Sequence, residues 1–183
     1  GHWDVVRRIT WKLKDYLDLK GYIFHRLIIV QAGLDAARSA GDRYDEGQFL
    51  NELGLAYYSL GETRRAIDLY TQRLAIAREI EDRRGEAIAL GNLGNAYAAI
   101  GETRRAIELY AQQLVITRSI GDRRSEAIGS WNLGEAYEME GDLPRAIAHM
   151  ELCVAYELEI NHPDAAADAA RVEQLRLVLA QEV

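Results

Sequence analysis

At 183 residues, with 49% hydrophobic residues and a formal net charge of −7, the chain is long enough for one ordinary domain of globular composition. The acidic balance argues against a nucleic-acid partner, because phosphate binding is driven by clustered positive charge. The lone cysteine, Cys153, excludes an internal disulfide and fits a reducing cytosol, while apolar runs such as 27–30 are far too short to cross a bilayer and no secretory signal opens the chain.

Gly1 and His2 read as a cloning remnant, which makes the chain a piece cut from something longer. From Trp3 onward the sequence repeats itself about every 40 residues, a period that signals stacked helical hairpins rather than a catalytic globule. Gly-Glu-Thr-Arg-Arg-Ala-Ile at 61–67 returns unchanged at 101–107, and the blocks opening at Gly61 and Gly101 agree at about 25 of 40 positions without a gap. Carried backwards, the register places Gly21 on Gly61, Leu34 on Leu74, Arg38 on Arg78 and Asp42 on Asp82; carried forwards, it places Gly141 on Gly101 and Ala146 on Ala106. The expectation is one all-α solenoid with repeats over 3–41, 42–81, 82–121 and 122–161, closed by a capping helix over 163–181.

In the first repeat Trp3, Val6, Ile9, Trp11, Leu13, Tyr16 and Leu17 spread apolar surface around much of one helix, which predicts self-association through it. Lys14 stands where later copies have glycine and Arg26 where they have alanine, so this hairpin is expected to pack more loosely. In the later repeats apolar residues recur at steps of three and four, the helical period. In the third repeat Ala87, Leu90, Leu93, Ala96, Tyr97 and Ile100 mark a first helix, and Ala106, Ile107, Tyr110, Leu114 and Ile120 a second. Asp82 and Asp122 sit where an N-cap carboxylate accepts from the free amides of a first helix, and Thr63 and Thr103 are expected to do the same for second helices. Gly101 and Gly141 fall at turns, where a left-handed residue ends a helix at least steric cost. Gly54, Gly94 and Gly134 lie inside first helices at a cost of about 1 kcal/mol relative to alanine; close approach of the partner helix, through Ala66, Ala106 and Ala146, is the expected compensation. The final helix follows Pro163 and sets Val172, Leu175, Val178 and Leu179 among polar residues, as a cap with one solvated face does.

Leu93, Gly94, Tyr97, Gly101, Ala106, Ile107 and Tyr110, at their fixed offsets, resemble the tetratricopeptide repeat (TPR) in its variant of about 40 residues. Two long-period groups are especially similar. One is the repeat tails of bacterial STAND/NB-ARC-type signalling proteins, where Gly-Asp-Arg-Arg and Gly-Glu-Thr-Arg-Arg-Ala blocks are frequent. The other is the Partner of Inscuteable scaffolds, whose repeats also read Leu-Gly-Asn-Ala-Tyr, as 93–97 do. The resemblance implies a right-handed superhelix in which first helices line a concave groove and second helices form the outside, working as a protein- or peptide-binding module. It favours the sensor or regulatory repeat domain of a larger, cytoplasmic bacterial signalling protein, with a Partner of Inscuteable-like scaffold, or a structural spacer without a groove ligand, as the alternatives. No Gly-rich phosphate loop is present, and neither nucleic acid nor membrane is an expected partner.

On that resemblance the groove is drawn from one stripe of each first helix. It collects Asn51 and Tyr58 from the second repeat, Arg84, Asn92 and Asn95 from the third, and Arg124, Trp131, Asn132 and Glu135 from the fourth, with Thr10, Trp11 and Asp15 from the first. Asparagine is a poor helix former, and this run of it has two open explanations: amides that hold a peptide backbone, or bonds to neighbouring helices that set repeat spacing. Arg84 and Arg124 oppose the dipole in the first turn of their helices. Either they meet carboxylates of an acidic partner, or they are spent on solvent and inter-repeat ion pairs, with Glu86 and Glu126 compensating. Trp131 stands where other copies have Asn51 and Gly91, and reads as a binding anchor or as a ring filling space; Trp11 takes the same place in the first copy. Tyr57, Tyr70, Tyr97, Tyr110 and Tyr137 recur with the period and read as core, as does Cys153. His25, His149 and His162 share no spacing that gathers them on one metal. With no nucleophile–base pair, neither enzyme activity nor a cofactor is expected.

Overall fold

Helical periodicity interrupted by a left-handed residue at each half-repeat from Gly41 to Asn161 produces helix after helix. The computed structural model describes residues 2–20 and 22–181, with backbone alone for 15–20, so Gly21 and the side chains of Asp15, Tyr16 and Leu17 lie outside the described residues. Among the described residues there are nine α-helices and no strand: α1 (Trp3–Lys20), α2 (Ile23–Ala40), α3 (Arg43–Ser59), α4 (Thr63–Glu79), α5 (Arg83–Ala99), α6 (Thr103–Ile120), α7 (Arg123–Met139), α8 (Leu143–Glu159) and α9 (Ala165–Gln181).

The turns use positive φ, a conformation in which a Cβ is strained. Gly101 (80°) and Gly141 (79°) adopt it as expected, and at the junctions between hairpins Gly41 and Gly121 share the place with Glu81 (57°) and Asn161 (53°). Aspartates cap the first helices: Asp42 accepts from the Asp45 amide at 3.0 Å, Asp82 from Gly85 at 2.9 Å and Asp122 from Ser125 at 3.1 Å. Thr63 and Thr103 do not act as caps. The N-cap residues are Glu62 and Glu102, neither with a side-chain capping bond, because the turn places its non-helical position at the glutamate and each threonine is already the first helical residue.

The chain divides into two compact units, 1–89 and 90–183, with the division inside α5. In the first unit Val30, Leu34, Phe49, Leu50, Leu53 and Ile76 form the core, with Trp11 packed on it. Trp11 stacks on Phe49 with ring centroids 4.7 Å apart, so it is a core ring rather than a groove residue. The expected looseness of the first hairpin is offset by charge: Lys14 Nζ and Arg26 Nη2 both donate to Glu52 Oε2, at 3.1 and 2.9 Å. In the second unit one cluster joins Ala106, Tyr110, Leu114, Leu133 and Ala136. Another packs Ile147, Met150 and Val154 of α8 against Val172 and Leu175 of α9, while Leu177 and Val178 remain exposed.

Inside the first helices, Gly54 and Gly94 are explained by aromatic rings rather than by alanines, and Gly134 by Met150 and Ala146. A Cβ on Gly54 would come within 2.3 Å of a Tyr70 ring carbon, and one on Gly94 within 2.4 Å of a Tyr110 ring carbon. Ala66 and Ala106 are fully buried one turn earlier on the same helices. At Gly134 the space is taken by Met150 Cγ (2.6 Å) and the Ala146 carbonyl (3.0 Å).

Candidate binding surface

In the second unit the helical period aligns Asn92 and Asn95 on α5 and Arg124, Trp131, Asn132 and Glu135 on α7. Two of these meet directly: Asn132 Nδ2 donates to Asn95 Oδ1 at 3.1 Å, and the Tyr110 hydroxyl donates to the same oxygen at 2.6 Å. The Asn95 carbonyl is therefore spent on spacing α5, α6 and α7, while the residue itself is exposed. Asn92 and Asn132 are half-buried, and Glu135 is exposed beside them. Trp131 packs against the Ile147, Met150, Val154, Val172 and Leu175 cluster, so much of its ring fills space under α9, with one side left accessible.

The paired arginines at the start of α5 and α7 have separate tasks. Arg123 donates two bonds to Glu159, at 2.7 and 2.6 Å, and Arg83 pairs with Glu86. Among the described residues Arg84 and Arg124 form no ion pair, and both are exposed. Glu86 and Glu126 do not compensate them: they are held by Arg78 and Arg118 of the preceding helices, at 2.8 and 2.7 Å. Asn51 and Tyr58 occupy the corresponding stripe of α3 in the first unit, where Asn51 is buried and Tyr58 is exposed. Ile128 of α7 adds apolar surface at 50% exposure.

Two polar residues of the interior escaped the sequence reading. Arg73 is 1% exposed and lies in a slot between Gly47 and Gly85, where a Cβ on either glycine would come within 2.3 Å of the guanidinium. It donates to Asp82 at 3.1 Å. Glu157 is buried on α8 where the register has Ala37, Ala77 and Thr117; the signal was visible as a break in an otherwise small-residue column. Beside it, burial pushes the Cys153 thiol up to about 12, which keeps it protonated and unreactive at neutral pH. Among the described residues no three His, Cys, Asp or Glu side chains are placed to hold a metal ion, and no helix is long and apolar enough to cross a membrane.

The repeat architecture has close counterparts among solved structures. A point variant of a kinesin light chain-type protein with nearly identical TPR-like repeats from Podosopora anserina superposes with a TM-score of 0.79 at 21% identity, covering 100% of this chain and 92% of its own. A Rap protein complexed with Competence and Sporulation Factor matches 97% of this chain and 50% of its own, with a TM-score of 0.78 and 14% identity. A STAND protein with a tetratricopeptide repeat sensor from Pyrococcus horikoshii matches 92% of this chain and 26% of its own, with a TM-score of 0.80 and 20% identity. No curated protein sequence matches the chain. The tetratricopeptide repeat family model matches residues 45–114 and again 85–157, so with its helical hairpins and glycine-tyrosine packing the chain belongs to the tetratricopeptide repeat family, whose members are generally non-catalytic protein-interaction scaffolds.

Proposed function

We propose that the chain is the sensor or regulatory repeat domain of a larger, cytoplasmic bacterial signalling protein, and that it binds an acidic protein or peptide segment through the first-helix stripe. The observation that carries this is the contrast between neighbours: Arg83 and Arg123 are ion-paired within the fold, while Arg84 and Arg124 are exposed without a carboxylate partner among the described residues. An exposed guanidinium offers a planar fork of donors that suits a carboxylate. In the second unit Arg124 shares its helix face with exposed Ile128 and Glu135 and with half-buried Asn132, a mixture of apolar surface and amide donors suited to an extended segment. Two structural relatives support the setting: one carries its repeats as a sensor in a signal-transduction ATPase, and the other was solved in complex with a factor.

Probing an array of synthetic twelve-residue peptides with the purified chain tests this. Acidic sequences should be retained, and Arg124→Ala should lose most of that retention with an unchanged melting temperature. Undiminished retention by Arg124→Ala would remove the reading.

A further inference from the structure

The fourth repeat departs from the register at one of its most enclosed positions. Ala37, Ala77 and Thr117 are all 0% exposed at the equivalent place on α2, α4 and α6, and Glu157 replaces them on α8 at 9% exposure. A carboxyl group loses most of its hydration there, which is costly unless it is paired or hydrogen-bonded. Its Oε1 lies 3.8 Å from His162 Nδ1, and its Oε2 is buried with no donor at hydrogen-bond geometry, the Cys153 thiol and the Asp168 carboxyl being its side-chain neighbours. Asp168 of α9 faces it, so burial and a second acid hold the Glu157 carboxyl above the usual carboxylate range, with the His162 imidazole opposing. Packing does not call for this residue, since alanine and threonine fill the same place in the other repeats.

Glu157 lines a cavity of about 410 Å³ whose walls include Ile128, Cys153, Tyr156 and Ile160, with Arg124 and His162 also on the lining. The volume falls within the roughly 300–1,000 Å³ of ligand-binding pockets, which pair apolar walls with a few placed polar groups. We propose that this cavity receives the side chain of a lysine or arginine carried by a partner protein, its alkyl stem lying against Ile128, Tyr156 and Ile160 and its cationic head donating to Glu157 Oε2 in front of Asp168.

The charge arrangement selects that occupant. Glu157 is the one carboxylate on the cavity lining, with Asp168 facing it from α9 outside that lining, and a positively charged donor both satisfies the Glu157 carboxyl and relieves its repulsion by the second acid. A metal ion would need a further ligand, and no three-ligand cluster exists among the described residues. Arg124 on the lining repels a free cation, whereas a polypeptide can deliver lysine or arginine next to an acidic residue that meets Arg124. The site shares Arg124 and Ile128 with the stripe and rests on the proposed contact of Arg124 with an acidic residue.

The test is a ¹⁵N NMR titration of the full chain with four probes: Ac-Asp-Lys-NHMe, Ac-Asp-Arg-NHMe, Ac-Asp-norleucine-NHMe and cadaverine. The lysine and arginine probes should shift the amides of Cys153, Tyr156, Glu157 and His162 saturably, the norleucine probe should not, and Glu157→Gln should weaken the binding at least tenfold. Glu157→Gln should melt no lower than the parent, because it removes a poorly paired buried acid; Glu157→Thr, which copies Thr117, gives a second variant for the same comparison. Equal shifts from norleucine, no saturable shift, or unaltered binding in both variants would overturn the proposal, and tighter binding of cadaverine than of either dipeptide would overturn a protein source. Acidic-peptide retention on the array without saturable dipeptide shifts removes the pocket alone, and Glu157-dependent dipeptide shifts without acidic-peptide retention remove the stripe reading alone.

Discussion

At the residue scale the turns between hairpins show a conformational cost that has been left in place. Gly41 and Gly121 adopt φ of 70° and 69°, while Glu81 does the same work at 57°. A left-handed residue with a Cβ costs roughly 1–2 kcal/mol, partly offset because glycine gives the unfolded chain more freedom to lose. Glu81→Gly is therefore expected to stabilise the chain by about 1 kcal/mol, read as a higher urea midpoint with an unchanged slope. The Glu81 side chain is exposed and enters none of the proposed binding contacts, so peptide retention should not move. A midpoint equal to or below that of the parent would show that the strain at this position is compensated locally.

At the element scale, what the sequence made legible depended on whether a signal was carried by one helix or by two. Helix positions and the aspartate caps of first helices follow from local pattern, and the structure has them where the period places them. The identity of the residue that fills the space over Gly94 does not: it depends on how α6 lies against α5, and the ring of Tyr110, four residues beyond Ala106, is what occupies it. The same limit hid the sharing of the Asn95 carbonyl by Tyr110 and Asn132, and the use of Trp131 to support α9; both depend on distances between elements that the register does not encode. Glu157 was readable as an exception to a column of small residues, but its significance needed the cavity and Asp168 beside it. The close approach at Gly94 has a measurable consequence. Tyr110 is 3% exposed and its hydroxyl is bonded to Asn95, so the ring cannot swing aside, and Gly94→Ala should cost about 1–3 kcal/mol by overpacking. A Cβ on Gly129 meets nothing nearer than the Gln113 side-chain oxygen at 3.0 Å, the end of a flexible chain, so Gly129→Ala should be neutral or stabilising through helix propensity. Paired urea titrations should separate the two variants in that order, and a reversed order would refute the ring-over-glycine assignment.

At the scale of the whole molecule, two groups with depressed pKa values both make stability fall as pH drops, in different ranges. Asp42 is held below the usual carboxylate range, chiefly by the Asp45 amide and then by Arg7. Such a group contributes stability that is present above its unfolded pKa and lost as pH falls through the folded one. Nearer neutrality the group to watch is His149, whose imidazole stacks on Tyr137 with centroids 5.6 Å apart. Its Nδ1 is buried without a hydrogen-bond partner, and burial, followed by the positive charges of Arg118 and Arg145, lowers its pKa from 6.5. The unfolded chain therefore takes up a proton at a pH where the folded chain does not, so stability is complete above 6.5 and declines as pH falls below it. The corresponding position in the second and third repeats is leucine, Leu69 and Leu109, which marks the substitution that removes the effect while keeping the packing. Melting temperatures followed by circular dichroism from pH 8 to pH 5 should fall for the parent below about 6.5 and stay nearly level for His149→Leu over the same interval. Parallel curves would mean that the imidazole is protonated as easily in the fold as outside it, and would remove His149 from any account of how acid loosens α8.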